Sequence, residues 1–218
     1  MNLLNEDQRA QAAGAILSAA PVMPVIVIDR IDNAVPLART LVDAGLPVLE
    51  VTLRSPVALE AITRIRKALP DAIVGAGTVL NARDLAAVGE AGAMFAIAPG
   101  VTDALYGAAA QQPLPFIAGI ATASELMRGL EHGHRVFKFF PAEASGGIAA
   151  LKGLAGPFRQ ARFCPTGGID AARAPAYLAL PNVLTVGGSW MLPANAIRDG
   201  DWARIGTLAR EAAALRSR

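Results

Sequence analysis

Eight short, almost wholly apolar runs recur along this chain, and the segments between them carry the punctuation of helices. The runs are Val22–Ile28, Val48–Leu53, Ala72–Thr78, Met94–Pro99, Pro115–Ile120, Arg135–Pro141, Arg162–Gly168 and Val183–Trp190. Strands this apolar are covered on both faces, as in a parallel sheet flanked by helices. Asp32 precedes a helix over Asn33–Ala44, which Gly45 ends, and Ser55-Pro56 reads as an N-cap followed by proline at the first helical position. Asn81 opens a helix that Gly92 closes, and Thr122-Ala123-Ser124-Glu125 has capping-box spacing. Asp170 and Asp201 open later helices, and an extra helix near Glu6–Ala19 precedes the first strand. Eight strand–helix repeats predict an α/β fold, a (β/α)8 TIM barrel with an added N-terminal helix, as a single domain over 1–218. An open doubly wound sheet has the same periodicity, because closure leaves no mark on the pattern.

Composition narrows the class of partner. At 218 residues, with 53% hydrophobic and 17% charged side chains, the chain can bury a large core. Its formal charge is +2 and no basic run is interleaved with aromatics, so a nucleic-acid partner is not expected. Cys164 is the single cysteine, which excludes an intrachain disulfide and fits a reducing compartment. Residues 1–13 lack the basic-then-apolar order of a signal peptide, and the apolar run at 21–28 is too short to cross a bilayer. A soluble, cytoplasmic protein with a small-molecule substrate is the expectation.

One apolar run contains a lysine. Only three lysines occur, and Lys67 and Lys152 lie in stretches that read as surface helix, whereas Lys138 sits within Val136-Phe137-Lys138-Phe139-Phe140. Strand side chains alternate, so Lys138 shares a face with Val136 and Phe140 while Phe137 and Phe139 point the other way. An unpaired buried ammonium costs several kcal/mol and tends to become the neutral amine that a Schiff-base nucleophile requires.

In barrels of this kind, chemistry sits at the C-terminal ends of the strands. At strand two, Glu50, Thr52 and Arg54 share one face and Leu49, Val51 and Leu53 the other. The apolar set belongs under helices, which turns Glu50 inward to meet Lys138 in one cavity. The two residues alone equally fit a structural ion pair. Strand three closes with Gly75-Ala76-Gly77-Thr78, whose glycines suit either a close ligand or a tight barrel turn. Strands seven and eight end in Thr166-Gly167-Gly168 and Gly187-Gly188-Ser189. Paired glycines there offer backbone N–H groups to an anion, at the loops where barrel enzymes commonly hold phosphate. His132 and His134 flank Gly133 at the opposite end and read as solvent-facing loop residues; no metal-ligand set is recognisable. Cys164 reads as a small buried hydrophobe.

The segments Leu49–Arg54, Gly75–Leu80, Phe137-Lys138-Phe139-Phe140-Pro141-Ala142-Glu143, Phe163-Cys164-Pro165-Thr166-Gly167-Gly168-Ile169 and Gly187–Trp190 resemble, in order and spacing, those of the 2-keto-3-deoxy-6-phosphogluconate (KDPG) aldolases. The resemblance runs from about Ile16 to the C-terminus. It implies a class I aldolase with no metal and no cofactor, usually a homotrimer, acting in the Entner–Doudoroff pathway. Its reaction would cleave KDPG to pyruvate and glyceraldehyde 3-phosphate. By the same resemblance Lys138 forms the imine, Glu50 is the general acid/base, and Arg54, Thr78 and Thr166 hold the keto acid. Gly167, Gly168, Gly188 and Ser189 match the phosphate end. Related aldolases act on 4-hydroxy-2-oxoglutarate (KHG) or the galactonate epimer of KDPG. Three positions depart from the family pattern: Ala118 stands where proline is expected, Ala121 where serine or threonine is common, and Ser145 where asparagine is common. They bear on substrate fit rather than on bond breaking. A metal-dependent pyruvate aldolase and a non-catalytic sugar-phosphate binder are the rival readings.

Overall fold

The computed structural model of the chain describes Leu3 and residues 5–215; Met1, Asn2, Leu4 and 216–218, part of the expected domain span, lie outside the described residues. Each expected apolar run contains one strand: β1 (Val22–Ile26), β2 (Val48–Thr52), β3 (Ile73–Gly77), β4 (Ala96–Ile97), β5 (Phe116–Ile120), β6 (Val136–Phe139), β7 (Arg162–Pro165) and β8 (Val186–Gly188). Consecutive strands pair in parallel from β1 to β7, and β8 returns beside β1 with Gly187 opposite Met23. Parallel bridges Phe163–Val183 and Thr166–Gly187 then join β7 to the eighth run. The sheet therefore closes as a (β/α)8 barrel, and the open-sheet alternative is excluded.

The helices are α1 (Glu6–Ser18), α2 (Ala34–Asp43), α3 (Ala58–Ala68), α4 (Ala82–Glu90), α5 (Asp103–Ala110), α6 (Ala123–Glu131), α7 (Gly147–Ala155), α8 (Ala174–Leu178), α9 (Ala194–Asp199) and α10 (Trp202–Ala213). Caps behave as expected at Asn81, at Asp201 and at Thr122, where Glu125 completes the capping box. Three expected helix starts move. A 3-10 turn over Ile31–Asn33 precedes α2. α3 begins only at Ala58, after Ser55-Pro56, and the Ser55 hydroxyl donates to Ile28 O at 2.6 Å, tying the loop to the segment that follows β1. Asp170 accepts from Ala172 N and Arg173 N in a local turn, and α8 starts only at Ala174. Among the described residues no helix is long and apolar enough to cross a membrane.

Two apolar layers follow from strand alternation. Leu49, Val51, Phe137, Phe139 and Phe163 face outward into the packing between sheet and helices. Met23, Val48, Phe95, Ile97, Ile117, Val136 and Cys164 fill the barrel interior, where Ala13 and Leu17 of α1 join them. Ala13, Ile16 and Leu17 lie on one helical face, so α1 plugs the N-terminal mouth. Burying a side chain such as Leu17, 1% exposed, contributes about 1.5–3 kcal/mol. The polar chemistry is left to the other end.

Candidate active site

Above the apolar interior the barrel holds two charges, Glu50 and Lys138. Their neighbours in the sheet register are small: Gly75 lies opposite Glu50, and Gly119 and Cys164 flank Lys138. The Lys138 Nζ donates to Glu50 Oε1 at 2.9 Å, with side-chain exposures of 6% and 0%. The Phe140 ring, on the same face of the chain, lies with its centroid 5.3 Å from Nζ. Glu50 Oε2 is buried and has no protein partner among the described residues. A buried carboxylate with one oxygen bonded to an amine and the other unengaged can take a proton from the amine and still serve a second group.

The glycines of β3 have a packing role, which neither sequence alternative anticipated. A Cβ on Gly77 would lie 2.1 Å from Glu50 Oε1, and one on Gly75 would lie 2.4 Å from the Phe95 ring. The missing side chains make room for the carboxylate and for the aromatic floor beneath it. Gly187 does the same for Thr166, whose Oγ1 would be 2.2 Å from a Cβ there. That hydroxyl is buried, and its protein contacts are long: 3.5 Å to Cys164 O and 3.7 Å to Cys164 Sγ. Its capacity to bind a ligand is thus largely unspent.

Arg54 is positioned by Thr52. The Thr52 hydroxyl donates to Ile26 O at 2.9 Å and accepts from Arg54 Nε at 3.1 Å, leaving the two terminal nitrogens of the guanidinium without protein acceptors among the described residues. Sequence reasoning placed Thr52 on the right face but gave it no task; the two-residue spacing to both Glu50 and Arg54 was the available signal. Arg54 and Ser189 line one cavity of about 330 Å³ beside Val25 and Val27 of the β1 edge, with Arg30 and Arg198 also on its wall. Thr78 adopts φ 60°, a left-handed conformation rare for a β-branched residue and costly by about 1–2 kcal/mol. Such strain is held where the surroundings over-determine it.

The turn after β7 has two successive left-handed glycines, Gly167 at φ 104° and Gly168 at φ 78°. The carbonyls of Thr166 and Gly167 accept from Ala142 N (2.8 Å) and Glu143 N (3.1 Å). The N–H groups of Gly167 and Gly168 have no acceptor among the described residues, the arrangement that receives an anion. Gly188 is buried, and its bare α-carbon lets the Trp190 ring close over it. Ser189 is exposed at the barrel rim.

The other singled-out residues fall outside this constellation. Cys164 is fully buried, and desolvation pushes its thiol up to about 12. His132 is exposed and stacks on Tyr106. His134 departs from expectation: it is half-buried between Tyr106, Phe116 and Phe137, and burial, with Arg9 nearby, pulls its pKa down to about 4. The apolar neighbours of the ring explain the difference. Ala118 faces the helix layer, away from the barrel interior. The Ala121 N–H is taken by Glu125 Oε2 at 2.8 Å, and Ser145 N by Pro141 O at 2.9 Å.

Comparison with known proteins gives the family. Residues 14–208 match the family model of the KDPG and KHG aldolases. The KHG/KDPG aldolase of Escherichia coli K12 is 57% identical over 201 residues, covering 92% of this chain and 94% of that one. A crystal structure of KDPG aldolase from Legionella pneumophila, with pyruvate captured at low pH as a covalent carbinolamine, superposes with TM-score 0.91 at 48% identity over 93% of this chain and 98% of that one. A Zymomonas mobilis KDPG aldolase solved with 3-phosphoglycerate also gives TM-score 0.91, at 51% identity over 95% and 97% of the two chains. On sequence and fold together, the chain belongs to the KDPG and KHG aldolase family of carbon–carbon lyases.

Proposed function

We propose that the protein cleaves KDPG to pyruvate and glyceraldehyde 3-phosphate through a Schiff base on Lys138. The observation that carries this is the buried Lys138–Glu50 pair, 2.9 Å apart at the C-terminal end of the barrel. Transfer of the Nζ proton to Glu50 Oε1 frees the amine to attack the substrate C2 carbonyl. Glu50 passes that proton to the carbinolamine hydroxyl, which leaves as water; this gives a protonated imine, an electron sink one bond from C3, and restores the carboxylate. Glu50 then takes the C4 hydroxyl proton, the C3–C4 bond breaks, and glyceraldehyde 3-phosphate leaves. The same carboxyl returns a proton to C3 of the enamine, and hydrolysis releases pyruvate and restores the amine.

The remaining roles follow from the groups without protein partners. Arg54, steadied by Thr52, pairs with the substrate carboxylate, with Thr78 and Thr166 as hydroxyl ligands of the keto acid. The free N–H groups at Gly167 and Gly168, together with Gly188 and Ser189, receive the phosphate. Binding energy at that remote end is spent on orienting C3–C4 over Lys138. KHG shares the keto-acid half of KDPG and engages the same lysine and arginine, in keeping with the double name of the Escherichia coli relative. The family resemblance further supports a cytoplasmic homotrimer.

The deciding experiment is borohydride reduction in the presence of pyruvate, followed by peptide mass spectrometry. A reduced pyruvyl adduct on Lys138 is the expected result. Adduct on another lysine, or none on folded protein, would overturn the assignment.

A further inference from the structure

The turn assigned above to the phosphate is held in shape by a residue outside it. Glu143 follows β6 in a segment that runs alongside Thr166–Gly168, and its Cβ and Cγ lie 2.8 and 2.7 Å from where a Gly168 side chain would begin. The Glu143 side chain thus occupies the face of Gly168 that any other residue would fill. Its carboxylate is fastened at both oxygens by α8 and the residue that precedes it: Tyr177 Oη donates to Oε1, and Arg173 Nε lies 3.2 Å from Oε2. Arg173 also bonds Asp170 Oδ2 at 2.6 Å, two residues downstream of Gly168. The diglycine turn is therefore gripped from both sides by one network. Burial, then the bond to Glu143, pushes the Tyr177 hydroxyl well above the usual tyrosine range, so it remains a donor.

We propose that Glu143, clamped by Tyr177 and Arg173, is a positioning residue that sets the Gly167-Gly168 turn for the phosphoryl group and so governs affinity for phosphorylated substrate. It touches neither the reacting bond nor the phosphate. The proposal rests on the Schiff-base and phosphate-site assignment above. Two consecutive glycines cost more conformational entropy to order than other residues, and a flexible turn would present its N–H groups to an anion only part of the time.

The test compares a phosphorylated substrate with one that has no phosphate. Glu143→Ala and Tyr177→Phe should each raise KM for KDPG about five- to tenfold, the worth of one hydrogen bond, with kcat moved far less. Glu143→Gln keeps an acceptor for Tyr177 and should stay within about threefold of the parent. Hydrogen–deuterium exchange at the pyruvate methyl group, which uses Lys138 and Glu50 but no phosphate contact, should keep its rate and its KM in all three variants. Equal losses on KDPG and pyruvate, or an unchanged KM for KDPG in both Glu143→Ala and Tyr177→Phe, would overturn the proposal. Absence of a pyruvate adduct in the parent protein marks failure of the underlying Schiff-base assignment instead.

Discussion

Gly77 makes no bond to substrate in the proposed reaction, yet replacing it by alanine should cripple the enzyme. The new Cβ would sit 2.1 Å from Glu50 Oε1, 2.7 Å from Cδ and 2.7 Å from Cγ. An ordinary carbon–oxygen contact needs more than 3 Å, so the carboxylate must retreat by about 1 Å within a closely packed interior where it is wholly buried. Oε1 is the atom bonded to Lys138 Nζ at 2.9 Å, and a shift of that size exceeds what the hydrogen bond tolerates. Misplacing a catalytic group by about 1 Å costs on the order of 10²-fold in rate. Overpacking should also lower stability, by about 1–3 kcal/mol. The assay is kcat on KDPG beside the initial rate of borohydride-trapped adduct with pyruvate, with urea unfolding to separate the two effects. Gly107→Ala is the matched control: it lies in α5, nothing stands within 4 Å of its added carbon, and it should leave activity alone while raising stability by about 0.5–1 kcal/mol. A Gly77→Ala enzyme within threefold of the parent in both assays would refute the steric reasoning.

Three other expectations are open to measurement. Lys138→Met strands the fully buried Glu50 carboxylate and should cost about 3–5 kcal/mol in urea unfolding, most of it returned when Glu50→Gln is added; Glu50→Gln alone should lower turnover about 10²–10⁴-fold. His134 titrates at about 4 in the folded protein against 6.5 ordinarily, so between those values the unfolded chain carries a proton that the folded chain lacks. Stability should therefore fall as pH drops through that window, by at most about 3 kcal/mol, and a His134→Leu variant should show a shallower decline; parallel curves would count against it. Cys164, buried and with its thiol at about 12, should react with a thiol reagent only as fast as the protein unfolds.

Much of the site was legible because strand geometry is local. A two-residue period places Lys138 with Val136 and against Phe137 and Phe139, and the structure keeps that division between interior and helix layer. The same period turned Glu50 inward, since Leu49 and Val51 had to go under helices. Helix starts followed sequence where the cap bonds its own first turn, as at Asn81 and Thr122. They failed where the expected cap serves other structure: Asp170 closes a local turn, and Ser55 bonds Ile28 O, 27 residues away in sequence. His134 was misread because its aromatic surroundings come from α5, β5 and β6 together, which no local stretch of sequence shows.

The chain by itself determined which residues alternate, which cap and which glycines can turn, because those follow from sterics and hydrogen bonds within about four residues. Only closure of the barrel decided that Glu50 and Lys138, 88 residues apart, meet at 2.9 Å, that Gly77 and Gly187 are bare so a carboxylate and a hydroxyl can fit, and that Glu143 grips Gly168. Those contacts are set by strand register and packing volume, quantities that belong to the assembled barrel and to no local stretch of sequence.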